Sequence, residues 1–244
     1  MIYKDLGIID YKAAWDLQEN LLQQAVSLKS EARKNNPSYI PAELPTEHYF
    51  LFCEHQPVYT LGKSGHIENV LLSEEELKEK NISFFNTNRG GDITFHGPQQ
   101  IVGYPILDLE KFYTDIGRYL RNMEEALILT IDEYGIKGER SAGETGVWID
   151  AGIKGQERKI AAIGVRCSRW VTMHGFALNV NTDLEYFSHI IPCGIVNKQV
   201  TSMEKELGYK VDFEEVKQKI LRNFEKVFEM KINDVAGGSQ ISRG

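Results

Sequence analysis

A cysteine between proline and glycine, Cys193 in IIPCGI, and a lysine at the head of an apolar run, Lys159 in KIAAIG, are the two residues of this chain best suited to chemistry. A cysteine attacks as the thiolate, and a nearby cation lowers its pKa by favouring the charged form. A turn such as the one holding Cys193 exposes a side chain and frees backbone N–H groups that can stabilise an oxyanion. A lysine partly desolvated among isoleucine, alanine and glycine can exchange protons near neutrality. The plainer readings are a buried turn cysteine and a surface lysine at a strand start, and for a lone lysine the plainer reading usually wins. What joins the two is the stretch between them, two apolar, β-rich runs broken by turn residues. A strand pair of that kind folds back and brings its ends together. The expectation is therefore an acyl-transfer pair, Cys193 with Lys159, supported by an earlier glycine-rich segment, RGGDITFHGPQQ (Arg89 to Gln100).

Other candidates rank lower. Cys53, inside HYFLFCEH, reads as apolar filler. Cys167 has Arg166 and Arg169 beside it, but successive strand residues point to opposite faces, so Arg166 and Cys167 diverge. His55, at a strand end, is a candidate for a supporting role one step back from the chemistry. The glycine-rich segment lacks the Gly-Lys-Ser/Thr ending of a P-loop and is no dinucleotide fingerprint. It reads either as small residues that let backbone approach a ligand or as a bare strand–turn–strand. Cys167, His174, His189 and Cys193 have no finger-type spacing, so no metal is expected.

The elements that must position these residues follow from periodicity and capping. Asp10 can cap a helix whose apolar face, Tyr11, Ala14, Trp15, Leu22, Ala25 and Val26, is interrupted only by Gln18. Lys29 to Asn36 is polar, and Pro37, Pro41 and Pro45 mark a loop. His48 to Gly62 is strand-like. Ser73 and Glu76 form a capping-box pattern for a short helix ending near Lys80. ISFFNTNRGG reads as a strand entering a glycine turn, and the chain resumes as a strand after Gly97–Pro98. Thr114 or Asp115 caps a longer helix that Gly135 closes. Gly143 to Val180 looks like a β-meander, and Asp212 begins a last amphipathic helix with Phe213, Val216, Ile220, Phe224 and Val227 on its apolar stripe. The expectation is one mixed α/β domain over residues 1–235, with 236–244 a mobile tail.

Composition narrows the function. With 42% hydrophobic and 26% charged residues the 244-residue chain reads as an ordinary globular protein. It has no run of eighteen apolar residues, so no membrane span is expected, and its N-terminus has no signal-peptide pattern. A net charge of −7 argues against broad nucleic-acid binding. Three cysteines without CxxC spacing suit reduced thiols in the cytoplasm. Lys154, Arg158, Lys159, Arg166 and Arg169 cluster in the sequence, either as a docking surface for an acidic protein or as a solvated strand face, with equal weight.

Taken together, RGGDITFHGPQQIVGYP (Arg89 to Pro105), KIAAIGVR (Lys159 to Arg166), HGFALN (His174 to Asn179) and IPCG (Ile191 to Gly194) resemble the lipoyl(octanoyl) transferase family, in order and over about two-thirds of the chain. Each motif alone is weak; the combination is specific. The resemblance implies the catalytic-domain fold of the biotin/lipoate protein ligases, a mixed β-sheet flanked by helices. It implies octanoyl transfer from octanoyl-acyl carrier protein through a Cys193 thioester to a lysine of apo lipoyl domains or of the glycine-cleavage H protein. No cofactor is implied, because a thioester is already activated. The lysine matching Lys159 lowers the cysteine's pKa and handles protons. By the same resemblance Arg89, Gly90, Gly91, Asp92, Ile93, Thr94, Phe95 and His96, with Ala162, Ile163, Gly164, Gly175, Phe176 and Ala177, line the acyl site. His96 and His174 are candidates for orienting the reacting groups. Burying seven methylene or methyl groups is worth roughly 5–6 kcal/mol at most, enough to select chain length. A monomer is expected.

One departure is Gln99, where the family pattern has glycine; if that backbone needs positive φ, glutamine costs on the order of 1 kcal/mol. Two rival readings stand beside the transferase. One is an ATP-dependent lipoate or biotin protein ligase of the same fold; the other is a non-catalytic module that only binds acyl carrier protein or lipoyl domains.

Overall fold

A computed structural model describes residues 1–191 and 199–234. In chain order it has β1 (Ile2–Ile8), α1 (Tyr11–Asn35), β2 (Tyr49–Glu54), β3 (Val58–Leu61), α2 (Glu74–Glu79), β4 (Ser83–Asn86), β5 (Ile93–His96) and β6 (Gln100–Ile106). There follow α3 (Ile116–Asp132), β7 (Val147–Ile149), β8 (Arg158–Ser168), β9 (Val171–Asn179), β10 (Gln199–Val200), α4 (Met203–Leu207), α5 (Phe213–Phe228) and β11 (Asn233–Asp234). The main sheet runs β10-β8-β9-β6-β2-β1-β11, with β7 also on β8, and mixes parallel with antiparallel pairs. A small sheet, β4-β3-β5, stands apart. The mixed sheet flanked by helices is the fold class expected.

Both faces of the main sheet are covered. Phe50, Phe52, Phe176, Leu127 and Phe224 belong to the cluster under α3 and α5, while Leu51, Cys53, Val102 and Leu22 join the one under α1. That double burial explains why β2 reads as a continuous apolar run rather than an alternating one. The caps expected at Asp10, Ser73, Asp115 and Asp212 all form, each side chain accepting a hydrogen bond from the first turn of its helix. The stretch 143–180 folds as read, β7 and β9 both lying antiparallel to β8.

Two expectations are corrected. His48 to Gly62 is not one strand: it breaks at His55–Pro57, and β2 and β3 enter different sheets. Proline supplies no ladder N–H, so the run has to turn there. The polar stretch Lys29–Asn35 continues α1 instead of opening a loop. Its Lys29 is buried, with Nζ 2.5 Å from Asp108 Oδ1, 2.6 Å from Glu110 Oε2 and 2.8 Å from the Arg169 carbonyl oxygen. These partners offset the cost of burying the charge, and the contact with Arg169 ties the helix end to the β8–β9 hairpin.

Among the described residues no helix is long and apolar enough to cross a membrane. The tail 236–244 lies outside the described residues.

Candidate active site

A cavity of about 410 Å³ opens between the glycine-rich segment and the middle of β8 and β9. That is within the size range of small-ligand sites. Arg89, Gly90, Gly91, Asp92, Ile93, Thr94 and His96 line it, with Ala162, Ile163 and Gly164 of β8 and Gly175, Phe176 and Ala177 of β9. Lys159 and His174 line it too. Phe95 does not: strand alternation turns it into the core of the small sheet, where it stacks on Tyr186 at 4.6 Å between ring centroids. Of the residues expected at the acyl site, Phe95 alone is absent from the cavity lining.

Glycine lets the walls approach each other. The Gly90 N–H donates to the Val165 carbonyl at 2.9 Å, and a Cβ on Gly164 would stand 2.8 Å from the Gly90 carbonyl oxygen. A Cβ on Gly175 would stand 2.1 Å from the Gly103 carbonyl oxygen. Backbone cannot yield there as a side-chain tip would. Gly175→Ala is therefore expected to destabilise the protein by about 1–3 kcal/mol, read as a lower urea midpoint.

Lys159 lies where β8 is paired on both sides. Trp148 of β7 and Val200 of β10 are its register partners, and the Thr201 N–H donates to its carbonyl at 3.0 Å. Its ammonium sits over the Trp148 indole, 4.5 Å from the ring centroid, an attractive geometry for a cation. Cys193 lies outside the described residues. On one side of its segment the Ile191 N–H donates to the Asn69 carbonyl at 2.9 Å; on the other, Gln199 and Val200 line the cavity beside Lys159. Cys53 is buried, and burial pushes its thiol up, which suits filler. Cys167 is exposed near the β8–β9 turn, away from the cavity.

Behind the cavity runs a buried polar chain. The Ile9 carbonyl can only accept, so His55 Nδ1 donates to it at 2.8 Å and His55 Nε2 accepts from the Tyr104 hydroxyl at 2.8 Å. His55 thus supports the cavity wall through Tyr104. The His174 N–H donates to Gln18 Oε1 at 2.9 Å, and the β9 backbone at His174 has a positive φ (+58°). A non-glycine residue held there is strained, and the strain sits at the cavity wall. Tyr11 stacks on His96 with ring centroids 6.0 Å apart. Sequence reasoning named neither Tyr11 nor Tyr104 as site residues, nor Trp148, Gln100 and Asn179. The one signal for this network was Gln18, a single polar residue in an apolar helical stripe.

Burial holds His96 and His174 each at about 3, and lowers His55 as well. All three are buried neutral in the fold but take a proton near 6.5 when it opens. Folding stability is therefore complete above pH 6.5 and falls as pH drops toward 3. For His96 and His174 the expected slope approaches about 1.4 kcal/mol per pH unit each, read from urea midpoints between pH 7 and 5, and His55 acts in the same direction.

The turn at Gln99 has φ +61°, the conformation for which glycine was expected. Contacts compensate. Gln99 Oε1 accepts from Asn181 Nδ2 at 2.9 Å and its N–H donates to Glu54 at 2.6 Å. The side chain does not line the cavity. Of the clustered basic residues, Arg158 pairs with Glu206 and Asp150, Arg166 pairs with Glu19, and Lys159 faces the cavity, while Lys154 and Arg169 are exposed.

The chain belongs to the lipoyl protein ligase A/B catalytic domain family, matched over residues 10–225. It is 60% identical to the octanoyltransferase of Christiangramia forsetii over 94% of this chain and 96% of that protein. It is 58% identical to the octanoyltransferase of Flavobacterium johnsoniae over 94% and 97% of the two chains. In fold it is similar to lipoate-protein ligase A bound with ATP (TM-score 0.67, 15% identity, 97% of this chain and 90% of the other). It is also similar to the bi-partite lipoate protein ligase of Thermoplasma acidophilum (TM-score 0.64, 16% identity, 96% and 87%).

Proposed function

We propose that this chain is an octanoyltransferase of lipoate biosynthesis. Octanoyl-acyl carrier protein is the donor, and a lysine of apo lipoyl domains or of the glycine-cleavage H protein is the acceptor. The observation that carries the reading is the cavity itself, walled by glycine, alanine and isoleucine, with Lys159 at its edge beside β10. Long identity to octanoyltransferases supports the same reading.

In the first half-reaction the Cys193 thiolate attacks the thioester carbonyl, the tetrahedral oxyanion collapses, and the carrier's thiol leaves with a proton. In the second, the acceptor's amine attacks the acyl-Cys193 carbonyl, loses a proton and expels the thiolate as the amide forms. Lys159 favours the thiolate as a neighbouring cation and relays the protons, which is the duty its place on the cavity wall suits. Arg89, Gly90, Gly91, Asp92, Ile93, Thr94 and His96, with the β8 and β9 residues facing them, hold the acyl chain. His174, strained and neutral, orients the wall. Residues 1–235 form a single catalytic unit that works as a cytoplasmic monomer and does not engage nucleic acid or membrane.

The test compares donors. Octanoyl-acyl carrier protein without ATP should octanoylate a lipoyl domain, and free octanoate with ATP and Mg²⁺ should not. Strong ATP-dependent turnover of the free acid would assign the chain to the ligase chemistry instead.

A further inference from the structure

We propose that Gln100 and Asn179 are positioning residues that lock His96 with its proton on Nδ1. Through His96 they complete one directed hydrogen-bond chain from Arg89 to the Thr201 carbonyl, tying the glycine-rich wall of the cavity to the strand beside Lys159.

The direction is fixed from both ends. The Thr201 carbonyl can only accept, so Asn179 Nδ2 donates to it at 2.9 Å and Asn179 Oδ1 faces Gln100. Gln100 Nε2 donates to that oxygen at 2.8 Å and to the Phe95 carbonyl at 3.1 Å, and both acceptors demand the NH₂ end. Gln100 Oε1 is left facing His96 Nδ1 at 2.9 Å, so Nδ1 carries the proton and Nε2 is bare. At the far end a guanidinium can only donate. Arg89 Nη2 donates to Thr60 Oγ1 at 2.9 Å and to the Thr60 carbonyl at 2.5 Å. The Thr60 hydroxyl then turns its own proton toward His96 Nε2, at a long 3.4 Å. Every member donates the same way, from cation to carbonyl. Burial keeps the ring neutral, which such a chain requires.

The chain spans the site. Arg89 and Gly90 form one wall, while Thr201 follows Val200 on the other and donates its N–H to the Lys159 carbonyl. One file of side chains therefore sets the acyl-binding loop at a fixed distance from the strand that carries Lys159. His96 acts in it as a spacer with a defined polarity, and not as a proton shuttle. The inference deepens the octanoyl-transfer reading and rests on it only for the effect on rate, since the tautomer is measured without substrate.

The experiment is ¹⁵N spectroscopy of histidine-labelled, full-length protein near neutral pH, where a protonated ring nitrogen and a bare one resonate far apart. His96 is expected to show a protonated Nδ1 and a bare Nε2. A proton on Nε2, alone or together with Nδ1, would overturn the proposal whatever any variant does. Gln100→Met, of similar length but offering no acceptor, is expected to let the proton move to Nε2 and to slow octanoyl transfer about tenfold, the worth of one well-made hydrogen bond. Gln100→Glu, which still accepts from Nδ1, is expected to keep Nδ1 protonated and to transfer faster than the Met variant. A Met variant that folds with its His96 signals unmoved, or a Glu variant with a bare Nδ1, contradicts the lock. Absence of octanoyl transfer in the unaltered protein with the predicted His96 signals intact would count against the function alone.

Discussion

Lys159→Ala is expected to leave the protein folded while slowing octanoyl transfer by about 10²–10⁴-fold, the contribution of a positioned proton-transfer group. The fold survives because the residue's backbone pairing with β7 and β10 does not need the side chain. The cation–indole contact with the buried Trp148 that would be lost is worth about 1–2 kcal/mol. The rate suffers because both half-reactions move a proton near the same amine. Rapid-mixing measurements of the two steps separately, with circular dichroism and a urea midpoint as controls for folding, check this. Unchanged rates in a folded variant would remove Lys159 from the mechanism.

Cys193→Ser is expected to cost still more, on the order of 10⁴-fold or greater in transfer to a lipoyl domain. A serine hydroxyl ionises far less readily than a thiol, and a neighbouring ammonium cannot make up the difference. An adenylate-forming ligase would be indifferent to the substitution, since its substrate is activated by ATP and not by a protein sulfur. Steady-state transfer from octanoyl-acyl carrier protein, with substrate saturation to separate kcat from KM, distinguishes the cases: the loss should fall on kcat. Near-normal turnover in the serine variant would place the nucleophile elsewhere.

Much of this was legible in the chain because local chemistry and global fold agree. Asp10, Ser73, Asp115 and Asp212 sit one residue before amphipathic runs, and each caps its helix as the spacing predicts. The glycines at 90 and 91 were readable as places of close approach, those at 164 and 175 came with the family resemblance, and all four line the cavity. What was not legible depends on long-range pairing. Pro57 marks a break in HYFLFCEHQPVYTLG, but since both halves are apolar and both are buried, nothing local says that they enter different sheets. Lys29 read only as the start of a polar stretch, since its partners Asp108 and Glu110 are some eighty positions away. The ion pairs of Arg166 with Glu19 and of Arg158 with Glu206 were hidden for the same reason, since each partner comes from a distant element. Phe95 followed its motif in sequence but not in space, because alternation in β5 sends it to the far side of His96.

The most direct measurement is the intact mass of the protein after incubation with octanoyl-acyl carrier protein alone, with no ATP and no acceptor. The account predicts a single added octanoyl group that is released by hydroxylamine, is absent in Cys193→Ser and disappears when a lipoyl domain is supplied. A protein that gains no mass under these conditions yet still acylates a lipoyl domain, or that gains the group at a residue other than Cys193, would contradict it.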